Sequence, residues 1–157
     1  MTMRMRFRQR FFSWLDSYDI FDDAGAVLYT VKSRMDWGHN MSVFDQSGRV
    51  CGCLREKIWT LRPEFHIECS GPANGRIRKT WNLIHPTYHI EPCGWQAEGN
   101  FVGWDYEIRD REGGIIAQIS KELLHLTDTY VIDVEDPQNA LGALLFVMAI
   151  DAEKCSA

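Results

Sequence analysis

Arginine occupies every second position from Arg4 to Arg10, alternating with Met5, Phe7 and Gln9, and no acidic residue precedes Asp16. Residues 1–15 therefore carry +4 in a chain whose net charge is -5. On a helix these guanidinium groups would scatter around the axis, whereas on a strand they share one face. A row of guanidinium groups with Phe11 and Phe12 nearby suits bidentate capture of phosphate oxygens. The plainer alternative is a solvated strand whose arginines pair with some of the 22 acids or guard a sheet edge. A second basic group, Arg76, Arg78 and Lys79, follows the glycine-bounded turn from Gly71 to Gly75, with Arg62 upstream. Arg76 and Arg78 also fall on one strand face, beside an exposed loop of the kind that often carries binding sites. An ordinary solvated strand is again the alternative. The anionic-ligand contacts expected from sequence are thus Arg4, Arg6, Arg8, Arg10, Arg62, Arg76, Arg78 and Lys79.

Other chemistries find less support. Zinc sites need converging pairs of thiols and imidazoles, and although Cys51 and Cys53 share a strand face, no second pair follows at a matching spacing. His85 and His89 would be neighbours on a helix, but Pro86, Thr87 and Tyr88 favour an extended chain that holds them about 13 Å apart. The chain has no nucleophile elbow, no phosphate loop and no dinucleotide fingerprint. Asp110 belongs to a turn, and Asp105 and Glu107 read as the outer face of a strand. The six tryptophans follow the repeat described below, which suits core and rim packing better than base stacking or membrane anchoring. A non-enzymatic protein without metal or cofactor is expected.

The chain is 157 residues long, with 45% hydrophobic and 25% charged residues, the composition of one soluble globular domain. An acidic balance of 22 Asp and Glu against 17 Lys and Arg argues against a dedicated nucleic-acid binder. Five cysteines, an odd number without staple-like spacing, suit reduced thiols. The apolar run Phe11–Leu15 is too short for a signal peptide, and the longest apolar run, Ala140–Ile150, is too short to span a bilayer. A cytoplasmic protein without a transmembrane segment is expected, with any membrane association peripheral.

The elements that would position the basic rows are announced by a repeat. Ile20-Phe-Asp22-Asp-Ala-Gly25 recurs as Val43-Phe-Asp45-Gln-Ser-Gly48 and as Ile108-Arg-Asp110-Arg-Glu-Gly113. Each reads as a β-hairpin in which Asp opens the turn and Gly takes the position of positive φ. Looser copies begin at Phe65 and Tyr88. Five hairpins, an N-terminal strand and a last strand near Tyr130–Glu135 make about twelve strands, over residues 3–135. A sheet that wide avoids exposed edges by closing into a barrel. After Asp136 and Pro137, which suit a helix cap and first turn, Ala140–Ile150 is apolar on every side. A helix of that kind, over residues 137–153, must be enclosed, and it matches the lumen of such a barrel. We expect a mainly β, single-domain chain over residues 1–157: a closed antiparallel barrel around a central C-terminal helix.

The run Phe7–Trp14, the Ile-x-Asp-x-x-Gly hairpins, Ile119-Ser-Lys-Glu122, Asp128-Thr-Tyr130 and the stretch from Asp136 through the apolar helix to Asp151 together resemble the LOR family. That family is grouped with the C-terminal domain of tubby proteins and with phospholipid scramblases. The resemblance covers residues 5–154 and implies a twelve-stranded barrel around a hydrophobic helix. Tubby domains bind phosphoinositides and scramblases act at membranes. The expected function is accordingly a non-enzymatic tubby-like domain that binds an anionic ligand or membrane surface such as phosphoinositide headgroups. A protein-interaction scaffold is the alternative, and a scramblase-like membrane-associated protein is a third reading.

Overall fold

Three hairpins share one turn chemistry. Asp22 Oδ1 accepts from the backbone N–H of Ala24 and Ala26 (both 2.9 Å), Asp45 Oδ1 from Ser47 and Arg49, and Asp110 Oδ1 from Glu112 and Gly114. Gly25, Gly48 and Gly113 take φ of 83°, 82° and 89°, the left-handed conformation that costs glycine least. The repeat read from sequence is thus a hairpin device in which one carboxylate satisfies two turn amides.

The computed structural model describes residues 2–8, 17–35, 39–57, 64–81, 85–124 and 127–155. The Asp-Gly turns join β2 (Ser17–Phe21) to β3 (Val27–Met35), β4 (His39–Phe44) to β5 (Val50–Lys57), and β10 (Asp105–Arg109) to β11 (Ile115–Leu124). Between and around them run β1 (Met3–Arg8), β6 (Glu64–Cys69), β7 (Gly75–Trp81), β8 (Pro86–Glu91), β9 (Gln96–Asn100) and β12 (Thr127–Val134). All pair antiparallel with their sequence neighbours, and β12 returns to β1 from Met3↔Val134 to Arg8↔Thr129. The result is the expected closed barrel of twelve strands.

Alternation along the strands fills the lumen. Met5, Ile20, Val31, Val43, Leu54 and Ile132, each from a different strand, are all fully buried. They surround the last element. Asp136 Oδ1 accepts from Gln138 N (3.0 Å), Pro137 opens a short 3-10 turn, and α1 runs from Ala140 to Cys155. Leu144, Leu145, Phe146 and Val147 point in successive directions around α1, and none is exposed. Burying each such side chain contributes about 1.5–3 kcal/mol, so the apolar helix and the apolar inner wall stabilise one another. Trp95 and Trp104 are buried in this core, as the packing reading expects; Trp14, Trp37 and Trp59 lie outside the described residues.

Antiparallel order puts the Asp-Gly turns and the start of α1 at one end of the barrel. The C-terminus of α1 lies at the other, which we call the mouth. The wall is not uniform. β8 and β9 pair only at Tyr88↔Ala97 and His89↔Gln96, and toward the mouth they part. Gly99 borders this gap. Its φ is 137°, and a Cβ there would stand 2.7 Å from Tyr106 Cα, so only glycine lets β9 pass this close to β10.

Candidate functional site

The β1 alternation turns Met5 and Phe7 inward and Arg4, Arg6 and Arg8 outward, the single face expected. Two of these arginines are held by acids. Arg4 makes a forked pair with Asp133, Nε to Oδ1 at 2.6 Å and Nη2 to Oδ2 at 3.3 Å, and that hydrogen bond raises its pKa further. Arg6 lies between Asp23 (3.3 Å) and Glu122 (3.5 Å). Its buried Nε is close to Asp23 but too poorly aligned for a hydrogen bond, so the contact is ionic only. Arg8 is exposed and outside every ion pair among the described residues. Arg10 and Arg62 lie outside the described residues.

Arg76 and Arg78 also face outward, and Glu91 draws both, at 3.3 and 3.4 Å; Glu64 adds a second contact to Arg76 at 3.6 Å. β7 lies six strands from β1 in either direction around the barrel. The two basic groups therefore stand on opposite walls and do not form one patch. Lys79 departs from the grouping read in the sequence. It alternates with Arg78 and so points inward, where Nζ meets Glu153 Oε1 of α1 at 2.9 Å.

That pair belongs to a chamber which the sequence reading missed. The last turns of α1 carry Asp151 and Glu153 into the mouth of the lumen. Tyr88 donates its hydroxyl to Glu153 Oε2, and Lys79 Nζ stands 5.5 Å from the Tyr88 ring centroid. From there the inner wall is aromatic. Phe101 lies 4.9 Å from Tyr88 and 4.8 Å from Tyr106, Trp104 lies 4.0 Å from Tyr130, and Phe7 joins Tyr130 (5.5 Å) to Tyr18 (6.2 Å). Trp104 holds φ 53°, a strained backbone for a bulky residue. Burial, then the charge of Asp151, pushes the Tyr18 and Tyr106 hydroxyls up; for Tyr88 it is burial, then the bond to Glu153. All three stay neutral phenols at physiological pH. The gap between β8 and β9 opens onto this chamber through a cavity of about 1610 Å³. It is bordered by the edges of Tyr88, Phe101 and Tyr106 and by the outer wall of the neighbouring strands, where Glu98, Asp105, Gln118 and Ser120 are exposed.

Comparison with known proteins adds the lineage. The family model described as LURP-one-related, LOR, matches residues 3–151. The chain belongs to the LURP-one-related family. The Bacillus subtilis protein YxjI, itself described as uncharacterised, is 21% identical over 145 residues, covering 92% of this chain and 89% of that one. An Arabidopsis thaliana protein solved by X-ray crystallography superposes with a TM-score of 0.62 at 13% identity, covering 96% of this chain and 91% of that one. The likeness to that solved structure is one of fold, and it places the LOR barrel in the architecture expected from the hairpin repeat. In this LOR domain Cys51, Cys69 and Cys93 have thiol pKa values raised, chiefly by burial, so they remain protonated and poorly nucleophilic. Among the described residues no helix is long and apolar enough to cross a membrane.

The chamber residues did leave a signal in the sequence. Counting in twos from buried Ile77 turns Lys79 inward. Glu153 follows the apolar stretch of α1 and reads only as its polar end until the lumen is known to surround it.

Proposed function

We propose that this LOR domain is a non-enzymatic, cytoplasmic binding module that associates with an anionic surface, such as phosphoinositide headgroups, through the outer face of β1. The supporting observation is that Arg4, Arg6 and Arg8 stand in one outward row, about 6.6 Å apart, with Arg8 exposed at the mouth end. The chain beyond residue 15 has a net charge of -9, so attraction to an anionic surface is local to this row. Each arginine near such a surface contributes about 1 kcal/mol, screened over about 8 Å at physiological salt. Arg4 and Arg6 are already neutralised by acids and contribute less than Arg8. The forked Arg4–Asp133 pair favours a second reading, a protein-interaction scaffold in which these arginines brace the β1–β12 seam.

Flotation with liposomes carrying multivalent anionic headgroups tests this. Retention is expected at low salt and release at about 0.5 M salt. Changing Arg4, Arg6, Arg8 and Arg10 together to Gln should abolish retention without altering the circular dichroism spectrum. Arg8→Gln alone should weaken it more than Arg4→Gln. If the wild-type protein ignores such liposomes at low salt, the scaffold reading replaces this one.

A further inference from the structure

We propose that the chamber at the barrel mouth binds a small organic cation with an alkylated ammonium group, admitted through the gap between β8 and β9. Four observations converge on this chemistry. Phe101 stands nearly perpendicular to Tyr88, at 89°, and tilted to Tyr106, at 56°, so three rings with different orientations line one cavity. The rings pack on one another and leave 2–5% of their surfaces at the cavity, an aromatic wall of the kind whose ring faces attract cations. Tyr88 already carries an ammonium over its ring, that of Lys79 at 5.5 Å.

Charge points the same way. Lys79, in the cavity wall, is held by Glu153 at 2.9 Å, which leaves it little to offer an anion. Along the outer wall of β10 and β12, which the same cavity borders, Glu107 is paired with Arg109 (2.6 Å) and Asp133 with Arg4 (2.6 Å). Glu98 has only the neutral amide of Gln96, and exposed Asp105 has no ion pair among the described residues. Two uncompensated carboxylates therefore guard the entrance, with Asp151 near the Tyr106 hydroxyl.

The fourth observation is Tyr106 itself. It is 5% exposed, lines the cavity and lacks a hydrogen-bond partner for its hydroxyl among the described residues. Its oxygen reaches the cavity instead of being sealed in the core, so a ligand hydroxyl or N–H can take the place of water on it. Choline joins a quaternary ammonium to one hydroxyl, so it serves as the probe. The ammonium group could arrive free or as a lipid headgroup.

Calorimetric titration of the full chain with choline chloride, and with its neutral carbon isostere dimethylbutanol, tests the proposal. Choline is expected to bind saturably, at least about tenfold more tightly than the isostere. Tyr106→Phe should weaken choline about fivefold and leave tetramethylammonium, which has no hydroxyl, unchanged. Because that comparison is made within one variant, a general loss of fold cannot imitate it. Glu98→Gln with Asp105→Asn, both on the exposed rim, should weaken choline about threefold at low salt, with the difference shrinking at high salt. Flotation on phosphatidylcholine vesicles identifies the source: binding that free choline competes away assigns a lipid headgroup, and saturable choline binding without flotation assigns the free cation. These vesicles carry no net charge, so the outcome is separate from that of the β1 arginines. Equal affinity for choline and its isostere, absence of saturable choline binding at millimolar concentrations, or binding of inorganic phosphate that Lys79→Met removes would each overturn the proposal.

Discussion

Replacing Lys79 by Met, alone and together with Glu153→Gln, probes the link between the barrel wall and its central helix. The two side chains are 20% and 15% exposed and meet at 2.9 Å. With an effective dielectric of about 20, the gross attraction at that distance is about 6 kcal/mol. Desolvating both charges offsets much of it, while removing one partner leaves the other with only its remaining contacts, for Glu153 the Tyr88 hydroxyl among them, in the mouth of the lumen. Complete burial would make that loss about 3–5 kcal/mol, and the residual exposure of this pair reduces it to about 2–3. Either single substitution should lower the unfolding free energy by that amount. The double variant removes both charges and should be less destabilised than the sum of the singles, by about 1.5 kcal/mol or more. Urea unfolding followed by circular dichroism measures all four corners of the cycle, provided the slope with denaturant is unchanged. Additive effects, within about 0.5 kcal/mol, would refute direct coupling between Lys79 and Glu153 and with it the inward placement of Lys79.

Two further outcomes are expected. Gly48→Ala has nothing within 4 Å of its new Cβ and suffers only from φ of 82°, about 1–2 kcal/mol; Gly99→Ala also collides with Tyr106 and should lower the unfolding midpoint by clearly more. The raised pKa values of Tyr18, Tyr88 and Tyr106 mean that the unfolded chain releases these protons near pH 10 while the folded chain keeps them. Stability is therefore intact below about pH 10 and falls as pH rises further, by about 1.4 kcal/mol per unit for each tyrosine and about 4 for the three. Tyrosinate absorbance should then appear in a cooperative step together with loss of the circular dichroism signal; gradual ionisation of all tyrosines near pH 10 in the folded protein would contradict their burial.

The architecture was legible in the chain because it rests on local rules. Asp and Gly at fixed offsets make a turn whichever partner the strands later find, and alternation assigns Met5, Ile20 and Val43 to one side of a pleated wall. An apolar helix with no polar face demands enclosure, which selects a closed barrel with α1 inside. Alternation also put Arg4, Arg6 and Arg8 on one outer face. What local rules do not contain is who meets whom across the fold. Arg4 finds Asp133, 129 residues away, because β12 closes the barrel against β1. Lys79 finds Glu153, 74 residues away, because packing fixes the rotation and depth of α1 in the lumen. The gap between β8 and β9, and the aromatic chamber behind it, come from strands that part and a helix whose charged end reaches the mouth. Both depend on the lateral order and stagger of twelve strands, set by the packing of the whole barrel rather than by any one segment.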